Sequence, residues 1–222
     1  MPTNNVLQWL DGRGWLIFSG ASEAGSDIRA TALERAAADG GVAYVWIGDD
    51  AAKAEIQGDE LLDDFESLGA PSGYMVNVLT EDDDTIRDRL SEASVIVVGG
   101  DATISTIRSA LLGAAAEGIQ AAFENGAVVL VEGTGIVLFG SWLLLETEIL
   151  TAGMEWLNNA LMLPGVTSVA QSIEAQEVLR GQPAAIAVGI GAGSALALGP
   201  DGELEVWGQG QVTIAFGSHY TI

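Results

Sequence analysis

Cysteine is absent from the 222 residues, lysine occurs once, at Lys53, and histidine once, at His219. The missing thiols exclude disulfides, thiolate metal sites and cysteine nucleophiles together, and they suit a reducing compartment. Positive charge is scarce as well: 8 Lys and Arg stand against 31 Asp and Glu, a formal net charge of −23. A surface of that sign repels phosphate backbones and anionic lipid, so neither nucleic acid nor a membrane is an expected partner. Charged residues make up only 18% of the chain, which reads as ordinary solubility rather than adaptation to high salt. Long hydrophobic runs are lacking too. The longest candidate, residues 135–145, is broken by Gly140 and flanked by Glu146 and Glu148, too short to cross a bilayer. The opening Met-Pro-Thr-Asn-Asn has no basic then apolar pattern of an export signal, so a cytoplasmic protein is expected.

What is present is apolar and glycine-punctuated. With 49% hydrophobic residues the chain can bury a sizeable core, and one α/β domain over residues 1–222 is the default reading. Residues 93–140 organise it. Two continuous apolar runs, residues 94–98 and 127–131, end in Gly99-Gly100-Asp101 and Glu132-Gly133-Thr134-Gly135. Each is too continuous for a half-exposed strand and so reads as a buried strand of a parallel sheet. Helix is expected over 104–115 and 117–125, stopped by Gly126, which makes a βαβ unit. Ligands of open α/β sheets sit beyond the carboxyl ends of the strands, where both Gly-rich turns fall. Such a turn after a buried strand is also where α/β hydrolases carry their nucleophile, but here it holds no Ser or Cys.

Before this unit, strands are expected at 15–19, 42–47 and 74–79, with helices at 27–38, 59–68 and 84–92. Gly20 and Gly25 have phosphate-loop spacing, but Ser26-Asp27 follows where Lys-Ser/Thr would be needed. The stretch reads as a strand-to-helix turn with Ser26 or Asp27 as N-cap. The acidic run 81–84 lacks calcium-loop spacing, and its carboxylates suit the positive end of a helix dipole. After the second turn, the apolar segments 136–139, 143–150 and 154–163 read as helix, with Trp142 and Trp156 in the core. A short helix at 172–179 and a strand at 184–190 follow. Gly199-Pro-Asp-Gly202 then joins strands 194–198 and 203–207 into a hairpin, and 211–216 adds a last strand. Parallel units followed by antiparallel strands imply one mixed sheet. No carboxylate or histidine cluster has metal-ligand spacing, and neither a metal nor a cofactor is expected.

The order of these pieces resembles the peptidase S51 family, which includes cyanophycinase and the aspartyl dipeptidase peptidase E. The resemblance runs through Gly14-Trp-Leu-Ile-Phe, Ile28-Arg29, Ala93 to Asp101, Glu132 to Gly135, Leu163-Pro-Gly-Val166, Gly189-Ile190, Ser194-Ala-Leu196 and Val206 to Val212. It implies a flavodoxin-like sheet between helices, similar to class I glutamine amidotransferases, with added antiparallel C-terminal strands. It also locates a nucleophile elbow, at which Gly133 stands where the family has its Ser and Thr134 where the next Ala belongs. Gln171 stands at the position of the family's His base, and an amide has no useful basicity at neutral pH. The family's Gly-Ile-Asp-Glu reads Gly189-Ile190-Gly191-Ala192, and its Gly-Gly-Asp-Gln keeps Gly99, Gly100 and Asp101 before Ala102.

Nucleophile, base and nearby carboxylates are thus missing together, although one acyl transfer needs all of them. The expectation is a catalytically inactive relative with a binding or structural role. Its ligand would be a small molecule or peptide held around Gly99, Gly100, Asp101, Gly133, Thr134 and Gly135, and the apolar content and six Trp suit a homodimer. The alternative is a divergent peptidase or amide hydrolase in which Thr134 attacks and His219 serves as base. Asp101 is expected to cap the following helix.

Overall fold

The computed structural model describes residues 6–21, 24–145, 150–208 and 210–220. Twelve strands fall into two sheets among these residues. The larger sheet is built on β1 (Trp15–Ser19), β2 (Val42–Ile47), β3 (Gly73–Val76), β4 (Val95–Gly100) and β5 (Val128–Glu132). Continuous Val, Ile and Leu runs make these strands, and β1 and β5 are buried along their whole length. They pair in parallel in the order β1-β5-β4-β2-β3. The subset β3-β2-β4-β5 repeats the first four strands of the flavodoxin-like order, with β1 in the fifth place. The hairpin β10 (Ser194–Leu198) and β11 (Leu204–Gly208) continues this sheet antiparallel beyond β1, as the turn Gly199–Gly202 predicts.

Helices cover both faces. α1 (Ser26–Arg35) and α2 (Ala51–Ser67) lie on one; α3 (Asp83–Ser91), α4 (Ile104–Leu111) and α5 (Ala114–Glu124) lie on the other. The helix boundaries follow their caps. α1 begins after Gly25, which holds the N-cap position expected of Ser26 or Asp27. α2 starts eight residues earlier than its apolar pattern suggests, because the Asp50 carboxylate accepts from the amides of Ala52 and Lys53. Asp82 accepts from the Thr85 amide at the start of α3, with Asp83 and Asp84 in the first turn.

The remaining strands are where the expectation fails. Residues 143–145, 150 and 154–163 are not helical: β6 (Gly140–Leu144), β7 (Leu150–Ala152) and β8 (Leu157–Pro164) join β9 (Ile186–Ile190) and β12 (Val212–Phe216) in a second sheet, ordered β12-β9-β8-β6-β7. The sheet is therefore not a single mixed one. Residues 146–149 of the expected helix lie outside the described set. Leu, Met, Ala and Glu favour helix locally, but β8 is bound in register to β9 from Ala160↔Ile186 to Pro164↔Ile190. Glu155 and Asn159 adopt left-handed backbone (φ 59° and 56°), which interrupts any helix through them. A Cβ on Gly140 would stand 2.4 Å from the Ala160 carbonyl oxygen, so the strands approach as only glycine permits. α6 (Ile173–Gly181) covers the outer face of this sheet.

One apolar layer fills the space between the two sheets and runs under α3, α4 and α5. Phe139 sits within it, edge-on to Phe18 of β1 (5.5 Å between ring centres) and to Trp156 (5.1 Å). Trp156 is buried there, whereas Trp142 packs on the outer face, towards α6.

Phe139→Ala is expected to lower unfolding free energy by about 3–5 kcal/mol, measurable by urea titration, because neither neighbouring ring can collapse into the space. The Thr85 amide and hydroxyl, both donating to Asp82, hold its pKa below the usual carboxylate value. Its contribution is therefore fully present above pH of about 4 and lost as the pH falls through the lowered pKa. In Asp82→Ala, the acid limb of a stability-versus-pH curve is expected to be shallower than in the parent chain.

Candidate functional site at the strand ends

The carboxyl ends of β1, β5, β4 and β2 lie side by side. Ser19 pairs with Glu132, Val98 with Val131 and Trp46 with Gly99. β5 ends at Glu132, and Gly133 turns the chain with φ 63°, left-handed backbone that a side chain adopts only under strain. A tight 3-10 turn, Gly133–Phe139, follows, where a buried helix start is expected. Its Ile136, Leu138 and Phe139 plunge into the inter-sheet core and leave Thr134 exposed at the tip. No hydrogen bond of the Thr134 hydroxyl is present among the described residues.

The neighbouring turns share this edge. A Cβ on Gly20 would lie 2.1 Å from the Ile190 carbonyl oxygen, so the ends of β1 and β9 touch through main chain. The Gly165 amide donates to Ile190 O at 2.7 Å and the Gly191 amide to Gln211 O at 2.8 Å. A Cβ on Gly191 would come within 2.9 Å of the Thr167 methyl, and Ala192 is exposed beside it. Gln171 ends the short 3-10 turn Val169–Gln171, exposed, its amide bonded to Ser168 O. The turn is tied to β12 through the Val169 amide and the Thr213 hydroxyl.

His219 lies at the other end of the second sheet. Phe216 pairs with Ile186 at the start of β9, and the His219 amide bonds Pro183 O, beyond that start. Four residues separate Ile186 from Ile190, so on the order of 13 Å of strand separates His219 from the edge that holds Gly191. The His219 main chain is thereby held at the end of the second sheet away from the edge that holds Gly191.

At the end of β4, Gly100 has φ 145°, and a Cβ there would strike Ile47 O at 2.1 Å. Asp101 then turns away from the next helix. Thr103 caps α4 by accepting from the Thr106 amide, contrary to the capping role expected of Asp101. Asp101 instead accepts from the Lys53 ammonium at 2.5 Å, and that ammonium lies 5.8 Å over the Trp46 ring. The pair spans the ends of β2 and β4, the point where strand order reverses.

Sequence reasoning missed the most buried charge of the region. Glu132 is 2% exposed, and its Oε1 accepts from Arg29 Nη2 and from the Ala24 amide, both at 3.2 Å. Arg29 also donates through Nη1 to Asp64 at 2.9 Å. Burial disfavours the guanidinium charge, but Glu132 and Asp64 outweigh it and hold the Arg29 pKa above its ordinary value. A cavity of about 40 Å³ adjoins the cluster, lined by Arg29, Tyr44, Gln57, Glu60, Leu61 and Glu132. The signal was a lone acid ending an otherwise apolar buried strand, since a buried carboxylate must find a cation. The cluster anchors the first loop, α1 and α2 to the residue just before the elbow.

No protein-family model and no curated protein matches the chain. Solved structures do. A peptidase from an acI-B1 Actinobacterium superposes with a TM-score of 0.76 at 19% identity, covering 93% of each chain. A putative peptidase E protein from Listeria monocytogenes EGD-e gives a TM-score of 0.63 at 13% identity, covering 88% of this chain and 98% of that one. The chain therefore has a peptidase-like fold.

Removing Glu132 takes the acceptor from the Ala24 amide and leaves the Arg29 guanidinium with Asp64 alone. Glu132→Ala is expected to cost about 2–3 kcal/mol in chemical denaturation, and Glu132→Ala combined with Arg29→Met distinctly less than the sum of the two single changes.

Proposed function

We propose that the chain is a catalytically inactive protein on an S51-type, cyanophycinase or peptidase E-like scaffold, with a binding or structural role at its strand-end crevice. The observation that carries this reading is Gly133. The left-handed residue directly after β5, where the resemblance puts the attacking hydroxyl, has no side chain. Its surroundings support the same conclusion. Gln171 offers an amide where a base is required, Gly191 and Ala192 offer no carboxylate, and the main chain at His219 is a strand length away. The exposed Thr134 hydroxyl favours the alternative of a divergent hydrolase, but attack needs a base within hydrogen-bond reach, and none of the described contacts supplies one.

A small-molecule or peptide ligand at the Gly99-Gly100-Asp101 and Gly133-Thr134-Gly135 turns would meet main-chain groups, one hydroxyl and the Asp101 and Lys53 pair. Incubation with aspartyl dipeptides and with a cyanophycin-like polymer is expected to give no hydrolysis above a buffer control, and an acylating probe no adduct at Thr134. Turnover that disappears in Thr134→Ala would overturn the proposal.

A further inference from the structure

A cavity of about 260 Å³ opens at the ends of β6 and β8. It borders both turns of the strand-end crevice: Val137 belongs to the elbow turn, and Ile104 opens the helix that follows Asp101. Leu144 and Leu163, near the ends of their strands, and Val166 add half-buried wall. Nine of the ten lining residues are apolar, and the tenth is Glu174. The Ser172 hydroxyl donates to Glu174 Oε2 at 2.7 Å, which fixes the exposed carboxylate and keeps its pKa below the ordinary value. No other described residue donates to Oε1. The first turn of α6 suits any carboxylate. What is particular to Glu174 is its place at the mouth of an apolar cavity.

A pocket with apolar walls and one fixed polar group selects by both. Water inside would find few hydrogen-bond partners, so an apolar group is the better occupant. The open carboxylate oxygen calls for a charged donor. Volume sets the size: an apolar cavity of about 150 Å³ holds one benzene ring, so this one has room for on the order of ten heavy atoms. We propose that the cavity binds a small primary amine with an apolar body, its alkyl or aryl part inside and its ammonium on Glu174. A free molecule of this size fills the space, whereas a peptide would leave most of its length outside. An acidic ligand is opposed by Glu174 and by a chain of net charge −23. The inference rests on reading the strand-end region as a binding site and names the class of its ligand; it does not need the elbow to be inert.

Titration calorimetry with phenethylamine, phenethyl alcohol, hydrocinnamate and methylamine separates these contributions. Phenethylamine is expected to bind, the alcohol about tenfold more weakly, and the other two not measurably. Along straight-chain amines from propyl to octyl, each methylene should tighten binding by about fourfold until the cavity is full. Glu174→Gln keeps the acceptor for Ser172 and is expected to lose about tenfold for the amine and nothing for the alcohol. Val166→Trp, checked for folding by circular dichroism, fills the mouth and should weaken both. On the unmodified chain, the amide resonances of Val137, Val166 and Glu174 should shift on titration with phenethylamine. Methylamine binding as tightly as phenethylamine shows only general attraction to an acidic surface and overturns the proposal. So do amine binding that Glu174→Gln leaves unchanged, a peptide with amino-terminal Phe binding more tightly than the free amine, and no binding of any amine. Hydrolysis of an aspartyl dipeptide would refute catalytic inactivity and leave these titrations untouched.

Discussion

The apolar layer shared by the two sheets is the constraint on which everything else rests. Phe18, Phe139 and Trp156 meet in it, and they come from β1, from the turn after β5 and from the lead into β8. Because Ile136, Leu138 and Phe139 are drawn into this layer, the chain leaving β5 has no freedom to continue upward and must bend at once. Gly133 is the residue at which that bend falls. The sharp elbow is thus a product of packing below it, and the residue at the bend itself carries no side chain. Fold and chemistry are separable here because the former depends on what lies under the turn and the latter on what projects from it.

Charge plays a different part on the other face of the main sheet. Arg29 brings together Glu132 and Asp64 from β5 and α2, and the Ala24 amide adds the first loop. Such a cluster contributes little net stability compared with an apolar replacement, since desolvation offsets most of the attraction. What it does specify is arrangement. A carboxylate at the last position of β5 can be buried only with the guanidinium of α1 above it, which fixes how that helix sits on the sheet.

The sequence disclosed the parallel core well, for a physical reason. β1, β2, β4 and β5 are continuous apolar runs closed by glycine, and their shortness and β-branched content separate them from a buried helix. The hairpin was equally legible because Gly199-Pro-Asp-Gly202 has one favoured use. The second sheet was hidden. Its β9 and β12 read as strands, but the residues of β6, β7 and β8 are largely helix formers by local preference, and pairing between distant segments, β8 with β9 above all, makes them strand. The candidate site divides in the same way. The elbow turn could be read from consecutive residues, whereas Glu132 and Arg29 are 103 positions apart and Asp101 and Lys53 are 48. For Asp101 the local preference for capping lost to a cation brought in by α2, and Thr103, two residues on, took the cap.

Lys53 is the only side-chain amine in the chain, and it is half exposed at the rim of the strand ends, held against Asp101. Any dye, spin label or solid support that couples to ε-amines therefore reports from, or fastens, this one corner. Molecules tethered through it would all present the same orientation, with the turns after β2 and β4 closest to the point of attachment.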